Sequence, residues 1–172
     1  MIKKNKNKGI LFWITGLSGA GKTSIAKKIK YSISKKYGST LLVNGDDLRR
    51  IFNLNKYDKS SRLKYGIMFH NFAKFVTNQN INLIFAVVGL FEEIRNLNKK
   101  NIDNYVEIYL KADIKNIKKN KKKKIYFNSK NKSIMGITIK PEFPKKPDII
   151  IKNDFKKNID YLSKKLLKKI NL

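Results

Sequence analysis

The chain has 172 residues, one histidine, no cysteine and a formal net charge of +28. That length predicts a single domain over 1–172 with a core of its own, and the absence of cysteine excludes disulfides and thiolate metal sites. No apolar run approaches a membrane span, and the basic start Met1-Ile2-Lys3-Lys4-Asn5-Lys6 leads into a strand, not a signal peptide's apolar region. A cytoplasmic protein with no membrane partner is expected.

The charge does not by itself point to nucleic acid. Only Arg49, Arg50, Arg62 and Arg95 are arginines; the remaining basic residues are lysines spread along the chain among abundant Asn and Ile. Nucleic-acid surfaces favour arginine forks and interleaved aromatics on one face. A lysine excess of this kind reads as solvated surface, and a nucleic-acid partner is not expected.

In chain order, residues 10–15 (Ile10-Leu11-Phe12-Trp13-Ile14-Thr15) form an apolar run suited to one buried strand. Gly16-Leu17-Ser18-Gly19-Ala20-Gly21-Lys22-Thr23 then fits the pattern G-x-x-x-x-G-K-[ST] at every fixed position. Glycines let backbone N–H groups turn toward a polyanion, and the helix that follows aims its positive end at the same place. Gly16, Ser18, Gly19, Ala20, Gly21, Lys22, Thr23 and Ser24 are therefore the candidate residues for binding a nucleoside triphosphate. Lys22 is placed to reach the β- and γ-phosphates, and the Thr23 hydroxyl to ligate Mg²⁺. Ile25, Ile29 and Ile33 mark the apolar face of the helix, and Tyr37-Gly38 its stop.

Residues 40–44 read as a second strand, ending in Gly45-Asp46-Asp47-Leu48-Arg49-Arg50. Carboxylates at the carboxyl end of a strand sit on the ligand edge of an open α/β sheet, and one of the two aspartates is also suited to cap the next helix. From 58 to 78, Tyr65, Met68, Phe69, Phe72 and Phe75 recur at helical spacing, with His70 read as a packed or half-exposed residue of that helix. The run 81–88 is the strongest buried-strand signal and leads to Gly89-Leu90-Phe91-Glu92-Glu93; no acid ends it in the usual Walker-B place. A strand over 105–110, a helix over 112–120, a lysine block Lys121-Lys122-Lys123-Lys124, a strand at 148–151 and a closing helix carrying Phe155, Ile159, Leu162, Leu166 and Ile170 follow. Strand and helix alternate throughout, which predicts an α/β fold of the P-loop NTPase type, a parallel sheet with helices on both faces.

These residues together resemble the adenylylsulfate kinase family, small P-loop kinases that transfer the ATP γ-phosphate to a ribose 3′-hydroxyl. The resemblance covers roughly 10–154. It is carried by Phe12-Trp13-Ile14-Thr15 with the glycine loop, by Asn44-Gly45-Asp46-Asp47-Leu48-Arg49, by Lys124-Ile125-Tyr126 in the lid, and by Gly136-Ile137 with Pro141-Glu142-Phe143-Pro144 and Pro147. It implies ATP and Mg²⁺ as cofactors, a small-molecule nucleotide acceptor, a homodimer as a possible assembly, and a lid at about 119–135. Asp46 and Lys22 become the catalytic candidates, Asp46 as base or metal-side carboxylate, with Arg49 as an acceptor-phosphate contact.

The acceptor side departs from the family. Lys64-Tyr65-Gly66-Ile67-Met68-Phe69 stands where the family has E-N-I-R-R, Glu92 replaces a cationic fork, and Ile134 replaces one aromatic side of an adenine clamp whose other side Tyr57 supplies. A carboxylate facing a sulfate is repulsive. A branch of the family that phosphorylates cytidine diphosphoramidate in capsule modification is similar at Ser61-Arg62-Leu63-Lys64-Tyr65-Gly66 and at Gly89-Leu90-Phe91-Glu92-Glu93-Ile94. A phosphoramidate offers N–H donors that Glu92 or Glu93 accepts, whereas a sulfate offers only acceptors. The candidate acceptor set is thus Asp46, Arg49, Tyr57, Arg62, Gly89, Leu90, Phe91, Glu92, Lys124 and Tyr126. Two alternatives stay open: adenylylsulfate kinase itself, and a catalytically weakened nucleotide-binding protein, because the lid is lysine-rich and Lys119-Asn120 replaces the family's R-D.

Overall fold

A computed structural model of the chain describes residues 4–120 and 133–171. Its strands are β1 (Leu11–Thr15), β2 (Thr40–Asn44), β3 (Asn82–Ala86), β4 (Tyr105–Lys111) and β5 (Ile149–Lys152). Its helices are α1 (Lys22–Tyr37), α2 (Gly45–Ile51), α3 (Lys59–Asn78), α4 (Glu92–Asn101), α5 (Ile114–Lys119) and α6 (Ile159–Lys169). The strands form one parallel sheet in the order β2-β3-β1-β4-β5. Every residue of β1 and β3 is buried, so helices cover both faces, α1 packing with α6 and α3 with α4. The expected α/β architecture is the one observed.

The sequence order 2-3-1-4-5 places β1 between strands reached by opposite crossovers. The crevice beyond its carboxyl end is therefore the place where such sheets bind ligands. The core runs along β1, with Trp13 edge-on to Phe85 at 5.0 Å and Phe69 tilted against Phe85 at 5.5 Å. On the other face Ile25, Ile29 and Ile33 of α1 are buried as the spacing predicts. Burying side chains of this size stabilises the fold by about 2 kcal/mol each.

Four expectations are corrected. The cap of α2 is Asn44, whose side chain accepts from the Asp47 N–H, and not an aspartate; both Asp46 and Asp47 lie in the first turn. The buried face of α3 is Gly66, Phe69, His70, Ala73, Val76 and Thr77, while Met68 and Phe75 are exposed. Helix α4 has no counterpart among the predicted elements, since its inward face includes Arg95 and Asn98 beside Ile94. Phe155 precedes α6, with φ +66, and does not belong to its apolar face. The lysine block and most of the expected lid, including Lys124 and Tyr126, fall outside the described residues.

Candidate active site

The loop between β1 and α1 is held from behind. Gly16 has φ +145, and a Cβ there would sit 2.4 Å from the Leu110 carbonyl oxygen, so only glycine fits. Asn153, just past β5, donates from Nδ2 to the Ala20 carbonyl and accepts at Oδ1 from the Phe155 N–H. Lys22, 8% exposed, donates from Nζ to the carbonyls of Gly16 and Leu17 at 2.9 and 2.7 Å. Those are neutral partners; phosphate oxygens in the same place offer the ammonium stronger, charge-assisted bonds.

A cavity of about 590 Å³ opens in front of this loop. Of the candidate residues, Ser18, Gly19, Gly21, Lys22, Thr23 and Ser24 line it, while Gly16 and Ala20 are buried behind the lining. Its far wall is a part the sequence reading missed: Asn120, Asn153, Phe155, Lys157, Asn158 and Ile159. The signal was present, because Asn153 follows a strand at the same carboxyl edge that singled out Asp46.

A second cavity, of about 280 Å³, lies beside the first. Of the candidate acceptor residues, Arg49, Tyr57, Arg62, Gly89, Leu90 and Phe91 line it from separate segments; Trp13, Gly66, Phe69, Ile94, Ile134 and Met135 contribute to its largely apolar lining. Gly66 is required where α3 meets α4, since a Cβ there would stand 2.7 Å from Ile94 Cγ1. Two guanidinium groups lie against the Tyr57 ring, Arg49 at 4.5 Å and Arg62 at 5.4 Å from its centroid. Arg49 Nη1 also donates to the Leu54 and Lys56 carbonyls at 3.0 Å each. Arg62 donates from Nε to the Tyr57 carbonyl at 2.6 Å and from Nη2 to the Ser133 carbonyl at 3.0 Å. Both arginines therefore shape the cavity rim as well as charging it. Glu92 and Glu93 open α4 and are exposed, outside the lining of either cavity. His70 is buried, with Nδ1 2.8 Å from Asn98 Oδ1, and lines neither cavity.

The two cavities share Ser18, Gly45, Asp46, Val87 and Val88, and Asp46 is the one carboxylate among the described residues that line either of them. Asp47 is turned away, paired with Arg50 at 2.5 Å. The described residues contain no cluster of three acidic, histidine or cysteine groups able to hold a metal by themselves. That donor set, one hydroxyl at Thr23 and one carboxylate at Asp46, fits Mg²⁺, which keeps several waters and takes much of its coordination from substrate phosphates. Among the described residues no helix is long and apolar enough to cross a membrane.

Comparison with known proteins agrees with this geometry. The chain is 31% identical over 170 residues to the cytidine diphosphoramidate kinase of Campylobacter jejuni, covering 97% of this chain and 99% of that protein. It is 32% identical to the adenylyl-sulfate kinase of Clostridium acetobutylicum, over 87% of this chain and 77% of the relative. In structure it resembles the Mycobacterium tuberculosis APS kinase CysC in complex with AMPPNP and APS, with a TM-score of 0.83 at 21% identity over 96% of this chain and 99% of that one, a likeness of fold. A sequence model of the adenylylsulphate kinase family matches residues 8–152. The chain belongs to the adenylylsulphate kinase family and is a phosphotransferase with an alcohol group as acceptor.

Proposed function

We propose that the whole chain acts as one kinase domain, working in the cytoplasm, that transfers the γ-phosphate of ATP to the ribose 3′-hydroxyl of a nucleotide, with cytidine diphosphoramidate as the acceptor. The observation that carries the reading is Asp46, the one lining carboxylate among the described residues, on the wall common to a phosphate-loop cavity and a second, nucleotide-sized cavity. ATP enters the first cavity with its phosphates against the Gly19–Thr23 turn, and the acceptor enters the second. Asp46 then takes the proton from the attacking hydroxyl, while Lys22 leaves the Gly16 and Leu17 carbonyls for the transferring phosphate. Bound Mg²⁺, held at Thr23 and Asp46, would neutralise phosphate charge. Little covalent help is needed, since positioning and charge neutralisation supply most of the rate of phosphoryl transfer.

The choice of acceptor rests on two supports. The phosphoramidate kinase matches over nearly the full length of both chains, and no lining residue among those described presents an arginine fork free of backbone duties. The match to adenylyl-sulfate kinases keeps adenylylsulfate as the second reading. Replacing Asp46→Asn tests the mechanism: kcat falls about 10²-fold or more while the acceptor KM changes less than about threefold, as loss of a base acting in the transition state requires. An unaltered kcat would overturn the assignment.

A further inference from the structure

The wall of the acceptor cavity formed by residues 88–91 makes no strand or helix of its own, yet each of its carbonyls is assigned a donor. The Val88 carbonyl accepts from the Thr15 hydroxyl and from the Gly16 N–H, the latter at 3.2 Å. The Gly89 carbonyl accepts from Arg95 Nη1 at 3.3 Å, the Leu90 carbonyl from the Glu142 N–H at 2.9 Å, and the Phe91 carbonyl from the Arg95 N–H at 3.5 Å. The Phe91 bond is the opening main-chain bond of α4, so the Arg95 side chain, 4% exposed, holds this loop at one point, the Gly89 carbonyl. Its Nε lies 2.9 Å from Oε1 of Glu107, a β4 residue that is 9% exposed.

A buried ion pair of this kind adds little net stability, because desolvation consumes most of the attraction; what it can supply is a fixed position. Here the position matters. Gly89 has φ +49, and a Cβ on it would stand 2.9 Å from Trp13 Nε1 and 3.1 Å from Val87 Cγ1. The loop therefore rides directly on the floor of the cavity, and movement of the Gly89 carbonyl moves the wall against which the acceptor packs. A wall shaped by packing binds the acceptor only where its residues stand in place, so movement of the wall weakens acceptor binding.

We infer that Arg95, oriented by Glu107, is a positioning residue for the acceptor: through the Gly89 carbonyl it sets the 88–91 wall, and it acts on acceptor binding without touching either substrate. This rests on the second cavity being the acceptor site. A lysine at this position would keep the charge toward Glu107 but lacks the planar fork that reaches Glu107 and Gly89 together.

The test measures steady-state phosphotransfer with Arg95→Lys and Glu107→Gln, using whichever of cytidine diphosphoramidate and adenylylsulfate the unaltered protein phosphorylates, together with the fluorescence of Trp13, the sole tryptophan. Arg95→Lys raises the acceptor KM about tenfold with kcat and the ATP KM within about twofold, and it shifts Trp13 emission; Glu107→Gln does the same at about threefold. A folded Arg95→Lys with an unaltered acceptor KM, or with equal rises in both KM values, overturns the inference. If Arg95→Lys fails to fold, Glu107→Gln decides by the same criteria. If the unaltered protein phosphorylates neither acceptor, the proposed function falls and the acceptor role with it, while Trp13 emission still decides whether Arg95 sets the 88–91 wall: a shift in the folded variants supports that, and an unchanged spectrum overturns it.

Discussion

The two cavities of this protein are made in different ways. The first cavity is faced on one side by one continuous turn, residues 18–24, which Asn153 holds at the Ala20 carbonyl and which Gly16 enters against the Leu110 carbonyl. The acceptor cavity is assembled from side chains of β1, α2, α3, the 88–91 loop, α4 and residues 134–135, and its rim is stitched by arginines bonded to carbonyls. Backbone recognition of a phosphate chain depends on few residue identities, so it survives sequence change. Side-chain recognition changes with each substitution, and this is where a shared fold turns from one acceptor to another.

That contrast predicts a ranking. Lys22→Ala has the largest effect, because it removes the charge that follows the transferring phosphate: ADP release falls about 10³-fold or more with either acceptor. Retained turnover would mean that the first cavity is not the donor site. On the acceptor side the losses are smaller and fall on KM. Arg49→Lys loses the fork that bonds Leu54 and Lys56 while stacking on Tyr57 and Tyr65, and it raises the acceptor KM about tenfold, with the ATP KM unchanged. Equal changes in the two KM values would contradict separate donor and acceptor cavities.

Glu92→Gln separates the two acceptors. If Glu92, exposed one residue beyond the lining residue Phe91, accepts from the phosphoramidate amino group, its loss raises that KM about threefold and spares adenylylsulfate. An unchanged KM in both Glu92→Gln and Glu93→Gln removes these carboxylates from recognition. The smallest effect belongs to Asp58, which caps α3 beside Tyr57 and accepts from both the hydroxyl and the N–H of Ser61, bonds that hold its carboxyl below the usual range. A carboxylate with a depressed folded pKa contributes stability above its unfolded value, and that contribution fades as pH falls through the folded one. Asp58→Ala should therefore lower the melting temperature at pH 7 by less than about 5 °C, and the difference should shrink in acid.

The same contrast explains what could be read in the sequence. The donor turn was legible because its determinants are adjacent: Gly16 through Thr23 carry both the geometry and the chemistry. Asp46 was legible because a carboxylate after a strand marks the ligand edge. Helix α4 was not, since the side chains that bury it include Arg95 and Asn98, which a search for apolar period reads as surface. The buried face of α3 was misphased for a related reason: the large aromatics suggested the stripe, whereas close packing against Ile94 of α4 demanded Gly66, and the small Ala73 is buried while Phe75 is 64% exposed. Met135 and Trp13 joined the acceptor wall only through folding, because residues distant in sequence meet there without any shared motif.

The most direct test of the account is a competition assay in which the purified protein, ATP and Mg²⁺ receive cytidine diphosphoramidate and adenylylsulfate together, and the 3′-phosphorylated products are quantified. The account predicts that the cytidine product dominates, with a kcat/KM ratio of at least about tenfold, the scale set by one well-placed polar contact. A dominant 3′-phosphoadenylylsulfate product would contradict the acceptor assignment, and the absence of both products would contradict the kinase reading of the joined cavities.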